Sequence, residues 1–217
     1  MSGHGCPLLG AVVLLAIAVS ALGCDRLKFV HIPKTGGTAI IRMMPHNVER
    51  RRELCTIAHT PPQWLPLAVR RDNYNNATSF TVMRHPYDRA VSQYRFMCWA
   101  NRNELSRLGY VLSACEKNTT QLNDFIHRWV EFYSVRENAH VFDCHFVTQS
   151  EYAVAVNAVF CNISSVAKFM RKCGVKAAHL RREVNYEGES LLDNESKRIL
   201  RRVYAKDFER CSAYTYY

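Results

Sequence analysis

Twice this chain passes from a short apolar, β-prone run through a turn directly into a helical repeat, and that junction limits the folds open to it. Residues 27–32 (Leu-Lys-Phe-Val-His-Ile) read as a strand that stops at Pro33, crosses Gly36-Gly37 and enters a helical stretch over 38–44, ended by Pro45. Residues 79–83 (Ser-Phe-Thr-Val-Met) read as another strand, ending at Arg84 before Pro86. From Tyr87 the spacing is again helical, with Tyr87, Ala90, Val91, Tyr94 and Met97 on one face. Between the two lies a further short strand over 54–59, before the breaker Pro61-Pro62. Strands that alternate with helices in this way predict an α/β fold with a mainly parallel sheet.

The second half of the chain continues the pattern. Leu122, Phe125, Ile126, Trp129, Val130 and Tyr133 recur at three and four, the clearest amphipathic helix in the sequence, and their aromatics read as core. Residues 140–146 predict another strand. Ser165 caps a predicted helix through Val166, Phe169 and Met170 that closes at Gly174. Asp193 caps the last, with Ile199, Leu200, Val203, Tyr204 and Phe208 inward. The charged tracts 49–53 and 181–183 read as solvated faces or loops. With 217 residues, 48% of them hydrophobic and 11% aromatic, the chain supplies the core of a single domain and lacks the composition of disorder.

Residues 8–22 are apolar apart from Gly10 and Ser20, a length that suits a signal-peptide core better than the roughly 20 residues of a bilayer span. Ala21-Leu22-Gly23 is the small-x-small pattern of a signal-peptidase site. The expected organisation is therefore residues 1–23 as a cleaved signal or a short membrane anchor through 8–22, then one domain over 24–217. Four Asn-x-Ser/Thr acceptor triplets, at Asn76, Asn118, Asn162 and Asn194, and nine cysteines agree with a secretory compartment. Cys144 and Cys161 are the expected disulfide partners, flanking a hairpin or loop, against the alternative that each is a small buried hydrophobe.

The first junction carries chemistry. In His31-Ile32-Pro33-Lys34-Thr35-Gly36-Gly37-Thr38, two glycines let the backbone close on an anion, the following helix start aims N–H groups at it, and Thr35 and Thr38 offer hydroxyl donors. A nucleotide-kinase loop needs its Lys after the glycines, whereas Lys34 precedes them, which disfavours a metal-dependent kinase. At the second junction, Arg84 ends a strand and Ser92 lies about two turns into the next helix, so a bidentate guanidinium and a hydroxyl can converge on a second phosphate. Both lie at the carboxyl edge of the predicted sheet, where open α/β sheets bind ligands.

These two segments resemble the Golgi-type carbohydrate sulfotransferases. Their 5′-phosphosulfate loop is similar to residues 31–38, and their 3′-phosphate motif, R-x-P-x-x-R-x-x-S-x-Y, is matched by Arg84, Pro86, Arg89, Ser92 and Tyr94. Looser likenesses occur at 144–149 and 204–208, so the resemblance spans roughly residues 29–208. It implies a P-loop-like parallel sheet flanked by helices and the donor 3′-phosphoadenosine 5′-phosphosulfate, held by Lys34, Thr35, Gly36, Gly37, Thr38, Arg84 and Ser92. It further implies a carbohydrate acceptor and a Golgi lumenal or membrane location, with secretion as the alternative.

Sulfuryl transfer is an in-line displacement in which positioning and charge neutralisation dominate. Lys34, by resemblance and by its place beside the loop, would neutralise the leaving oxygen, and no metal is required. The acceptor hydroxyl needs a base that titrates near neutrality. His59 is the first choice, since His59-Thr60-Pro61 looks like the H-x-P element of related enzymes, with His31 its competitor and His85 and His145 weaker candidates. The net charge of +10 suits an anionic donor and an acidic polysaccharide acceptor. Nucleic acid would also suit that charge, but no zinc-finger, homeodomain or RNA-binding signature accompanies it. The rival from another class is a secreted glycan-binding module without catalysis, which needs surface Lys and Arg but not both phosphate segments.

Overall fold

The computed structural model describes residues 27–43, 59–74, 77–113, 115–175 and 188–212. The leader at 8–22, the predicted strand at 54–58 and the acceptor triplet at Asn76 lie outside the described residues. Within them, no helix is long and apolar enough to cross a membrane.

The sheet has three parallel strands in the order β1 (Leu27–Val30), β2 (Thr78–Val82) and β3 (Ala158–Phe160). β2 is the central strand, and its last four residues are buried, as a strand covered on both faces requires. Register pairs Phe29 with Phe80 and Phe80 with Ala158. Thr81, fully buried, donates its hydroxyl to the Val30 carbonyl at 2.8 Å, which satisfies a polar side chain in the middle of the sheet. The parallel pairing of β1 with β2 brings both strand-to-helix junctions to one edge.

Each strand delivers a helix. β1 leads to α1 (Gly37–Met43), and α2 (Leu67–Tyr74) precedes β2. β2 leads to α3 (Pro86–Ala100), where Pro86 occupies the first helical position and needs no N–H partner. After α4 (Arg102–Arg107) and α5 (Thr119–Phe125), the amphipathic repeat runs on through a π-helical turn at Ile126–Val130 into α6 (Glu131–Ser134). α7 (Arg136–Ala139) and α8 (Gln149–Ala153) precede β3, and α9 (Ile163–Lys172), α10 (Asn194–Val203) and α11 (Ala205–Ser212) follow it.

The core has two parts around the sheet and one beside it. Ile40, Phe80, Val82, Val166 and Met170 fill one face, and Val30, Ile32, Met83, Val147 and Tyr152 the other. A larger helical core joins Tyr87 and Tyr94 of α3 to Phe125, Ile126, Ile199 and Leu200. Asp193 caps α10 as expected, accepting from Ser196 N–H at 2.7 Å. α9 is capped one turn earlier than expected: Asn162 accepts from Ser165 N–H at 2.7 Å, so Ser165 supplies the donor and not the cap. Asn118 caps α5 in the same way, through Gln121 N–H.

Two expectations are overturned. Residues 140–146 are not a strand: a 3₁₀ turn at His140–Phe142 leads into left-handed Asp143 and Cys144, at φ 48° and 59°. Phe142 and Phe146 are buried in one core cluster and Cys144 in another, while Val141 is exposed, a distribution that belongs to a tight turn. Cys144 does not pair with Cys161, because Cys144 is a buried free thiol while Cys161 and Cys173 are in disulfides. Cys98, near the end of α3, is bridged to Cys115, 17 residues later.

The segment after that turn is secured by Asp207 of α11, which is fully buried and accepts from Gln149 N–H at 2.8 Å and Ser150 N–H at 2.7 Å. Asp207→Ala should destabilise the fold by about 2–4 kcal/mol, since two buried donors lose a charged acceptor, and Asp207→Asn by less because its amide oxygen still accepts. Urea unfolding of the two variants checks the order.

Candidate active site

The first junction is shaped by its own backbone. Lys34 and Gly36 are both left-handed, at φ 66° and 94°, which curls the loop back over the end of β1. Thr35, between them, is 3% exposed and donates its hydroxyl to the Ile32 carbonyl at 2.9 Å. The hydroxyl that the sequence offered to an anion thus spans the loop in this structure. Thr38 is exposed at the start of α1. Gly37 is required by contact: a Cβ there would fall inside the His31 imidazole. A Cβ at Gly36 would lie 2.5 Å from Ile163 Cδ1, so that position combines a left-handed φ with a close approach.

Around this loop runs a chain of rings. Lys34 Nζ sits 4.3 Å above the centre of Phe96, and Phe96 stacks on His145 at 5.2 Å and 20°. His145 meets His59 edge-on at 4.8 Å, and His59 meets His31 edge-on at 4.8 Å. Phe96 comes from α3, His145 from the turn before α8, His59 from the turn before the Pro61-Pro62 pair, and His31 from the end of β1. Burial, together with the Arg84 charge, lowers the Lys34 pKa from its ordinary value. Burial and then the neighbouring His59 and Lys34 bring His31 down to about 4. Burial and then His59 and Arg89 bring His145 down to about 2. Both imidazoles are therefore neutral at physiological pH.

His59 is held by a carboxylate, its Nδ1 lying 2.6 Å from Asp143 Oδ2. A carboxylate only accepts, so Nδ1 carries the hydrogen, and in the neutral ring that leaves the lone pair on Nε2. Asp143 reaches this position through the two consecutive left-handed residues of the turn, a conformation that costs non-glycine residues about 1–2 kcal/mol each. The Tyr152 hydroxyl lies 2.7 Å from the His59 carbonyl and 3.0 Å from the Cys144 carbonyl, joining the two segments from below. His145 Nδ1 lies 2.7 Å from Gln93 Oε1, which makes Nδ1 the donor there as well.

Arg89, 3% exposed, ties the two sides together: Nε donates to the Pro33 carbonyl at 3.1 Å and Nη2 to the His145 carbonyl at 2.9 Å. At the second junction the backbone of Arg84 is gripped at both ends by one amide, its N–H donating to Gln149 Oε1 and its carbonyl accepting from Gln149 Nε2, each at 2.8 Å. Ser92 is half-buried on α3. Lys34, Gly36, Gly37, Thr38, Arg84 and His59 thus gather around one edge of the sheet. His85 does not join them: it packs against Tyr87 and Phe208 at 5.2 and 5.4 Å. Tyr94, part of the second motif, is a core residue stacked near Phe125.

Three residues of the site were not anticipated, Asp143, Gln93 and Phe96, while Gln149 lies in the 144–149 segment noted for its likeness to the family but given no role. Gln93 and Phe96 follow Arg89 at helical spacing, and that spacing alone could have put them on the same face as the loop. Asp143 and Gln149 belong to segments whose approach is purely tertiary.

The buried histidines set the acid sensitivity of the fold. A group whose folded pKa is below its unfolded value of 6.5 leaves stability intact at higher pH, and stability is lost as pH falls through 6.5 toward the folded value. Between pH 7 and pH 5, His31 and His145 should each cost about 2 kcal/mol. Urea unfolding at the two pH values should show this difference, and in His145→Gln it should shrink by about 2 kcal/mol; an unchanged difference would refute the assignment.

No curated protein and no solved structure matches the chain. A family model does, that of the sulfotransferase family, over residues 23–211. That span contains both strand-to-helix junctions, the His59–Asp143 pair and all three strands. The chain belongs to the sulfotransferase family.

Proposed function

We propose that this protein transfers the sulfuryl group of 3′-phosphoadenosine 5′-phosphosulfate to a hydroxyl of a carbohydrate acceptor, in the lumen of the secretory pathway, on a P-loop-like sheet. The observation that carries the reading is the arrangement of charge at one sheet edge. Two cations from different strand-to-helix junctions, Lys34 and Arg84, stand close enough for one to depress the pKa of the other. A carboxylate-oriented imidazole faces them from a third segment. A donor with a phosphosulfate at one end and a 3′-phosphate at the other would take the Lys34 loop with Gly36, Gly37 and Thr38 for the first, and Arg84 with Ser92 for the second.

The roles follow from the chemistry of each group. Lys34 neutralises charge on the oxygen that leaves sulfur, and its lowered pKa makes its proton easier to release to that oxygen. Phe96 beneath the ammonium holds it in place without competing for its protons. His59 Nε2 takes the proton of the acceptor hydroxyl, while Asp143 fixes the tautomer and stabilises the imidazolium that results. His31 and His145 are neutral neighbours whose rings confine His59, and His31 is the less suitable base because burial has lowered its pKa to about 4. The net charge of +10 supports an acidic polysaccharide as acceptor, by attraction over the protein's field.

Calorimetric titration with 3′,5′-adenosine bisphosphate, with and without EDTA, tests donor binding directly. Binding is expected to be insensitive to the chelator and to weaken by about 1.5–3 kcal/mol, roughly 10- to 150-fold, in Arg84→Ala. Equal affinity in the variant would sink the role of Arg84. Lys34→Ala should lower kcat for sulfate transfer by a factor of about 100 or more with glycan binding retained. A parent chain that binds glycan and no donor would instead be a binding module.

A further inference from the structure

The same edge holds a second, unused capability. One ligand atom from each of His59, Asp143 and His145 lies within 4.8 Å of the other two. Two imidazoles and a carboxylate are a donor set for Zn²⁺, whose bonds to such atoms are about 2.0–2.2 Å and whose tetrahedral ligands stand about 3.3–3.6 Å apart. The His59 Nδ1–Asp143 Oδ2 pair, at 2.6 Å, opens by about 1 Å and the widest separation closes by about as much to complete the set. Asp143, with its side chain 53% exposed, is the member free to make that movement.

The supports for such a site are already present. The Gln93 amide oxygen takes the Nδ1 hydrogen of His145, which leaves Nε2 as the ligating atom. The Tyr152 hydroxyl bonds to the carbonyls of His59 and Cys144, fixing the two ligand-bearing segments relative to each other. Asp143 and His145 are brought to one side by the left-handed pair Asp143 and Cys144. The side chain of His59 is 19% exposed, so a cation can enter from solvent.

We propose that His59, Asp143 and His145 form an inhibitory Zn²⁺ site. Three protein ligands hold the ion and leave its fourth position to water. Its cost to catalysis rests on the reading of His59 as the base: a metal shared with Asp143 binds His59 at Nδ1, the nitrogen that faces that carboxylate, so the ring hydrogen moves to Nε2, which then has no lone pair for the acceptor's proton, and Asp143 is taken from its role. Zinc and turnover are then mutually exclusive at one residue, while the donor loop stays open.

The test uses the full chain, stripped of metal with a chelator. Calorimetry with ZnCl₂ should give one site per chain, and Co²⁺ in its place should show the intense visible bands of four-coordinate geometry. Asp143→Asn and His145→Gln should each weaken Zn²⁺ at least about 10-fold, and Gln93→Ala, which removes only the orienting amide, should weaken it by about 10-fold. Binding of 3′,5′-adenosine bisphosphate reports that each variant is folded and should be unchanged by zinc in the parent. Sulfate transfer should fall on adding Zn²⁺ and return with EDTA. Zinc affinity that is the same in all three variants, or Co²⁺ without four-coordinate bands, overturns the site even if donor binding is intact. Zinc bound as expected by a chain that takes no donor would leave the site standing and remove the functional reading instead.

Discussion

A single buried guanidinium holds the working edge of this molecule together. Arg89 has almost no contact with water, and its donors go to two carbonyls, those of Pro33 and His145, that belong to segments more than a hundred residues apart. A buried cation without partners would be costly, so the loop after β1 and the turn before α8 must stay where those carbonyls are satisfied. Lys34 and Gly36 lie just after one carbonyl, and Asp143 lies just before the other. The Lys34 cation and the carboxylate behind His59 therefore share a single anchor.

Around that anchor, polar groups serve mainly to set the positions of other polar groups. Thr35 closes its own loop, Gln149 grips the backbone at Arg84, Gln93 fixes a tautomer, and Tyr152 joins two turns. Few of these could touch a ligand, yet each removes a degree of freedom from a group that could. Thr35 is one case: its side chain is buried, and its hydroxyl donates to the carbonyl three residues back.

Two of the sheet's three strands were legible in the sequence, while the short β3 was not among the expected strands. The strands at 27–30 and 78–82 and the helices after them follow from runs of β-branched and aromatic residues that end at proline or glycine, signals that act within a few residues. Asp193 as a cap was equally local. The failures occurred where local signals are ambiguous. Residues 142–146 alternate apolar and polar as a strand does, but Phe142 and Phe146 serve one cluster and Cys144 another, which a tight left-handed turn allows and an extended strand does not. The cap of α9 fell to Asn162 because its side chain reaches Ser165 N–H, a choice between two polar residues that propensity does not decide. The free thiol of Cys144 shows that cysteine counting says nothing of which sulfurs can meet.

The amino-acid order by itself determined that two strand-to-helix junctions carry glycines, a lysine and an arginine at strand ends, since these act through local backbone geometry. Only the tertiary structure decided that these junctions face one another and that His59 has a carboxylate partner. Parallel pairing of β1 with β2 sets the first, and the second depends on a hydrogen bond between residues 84 positions apart, whose meeting no local preference encodes. Short-range sterics wrote the parts, and burial of Arg89 with the sheet's pairing assembled them.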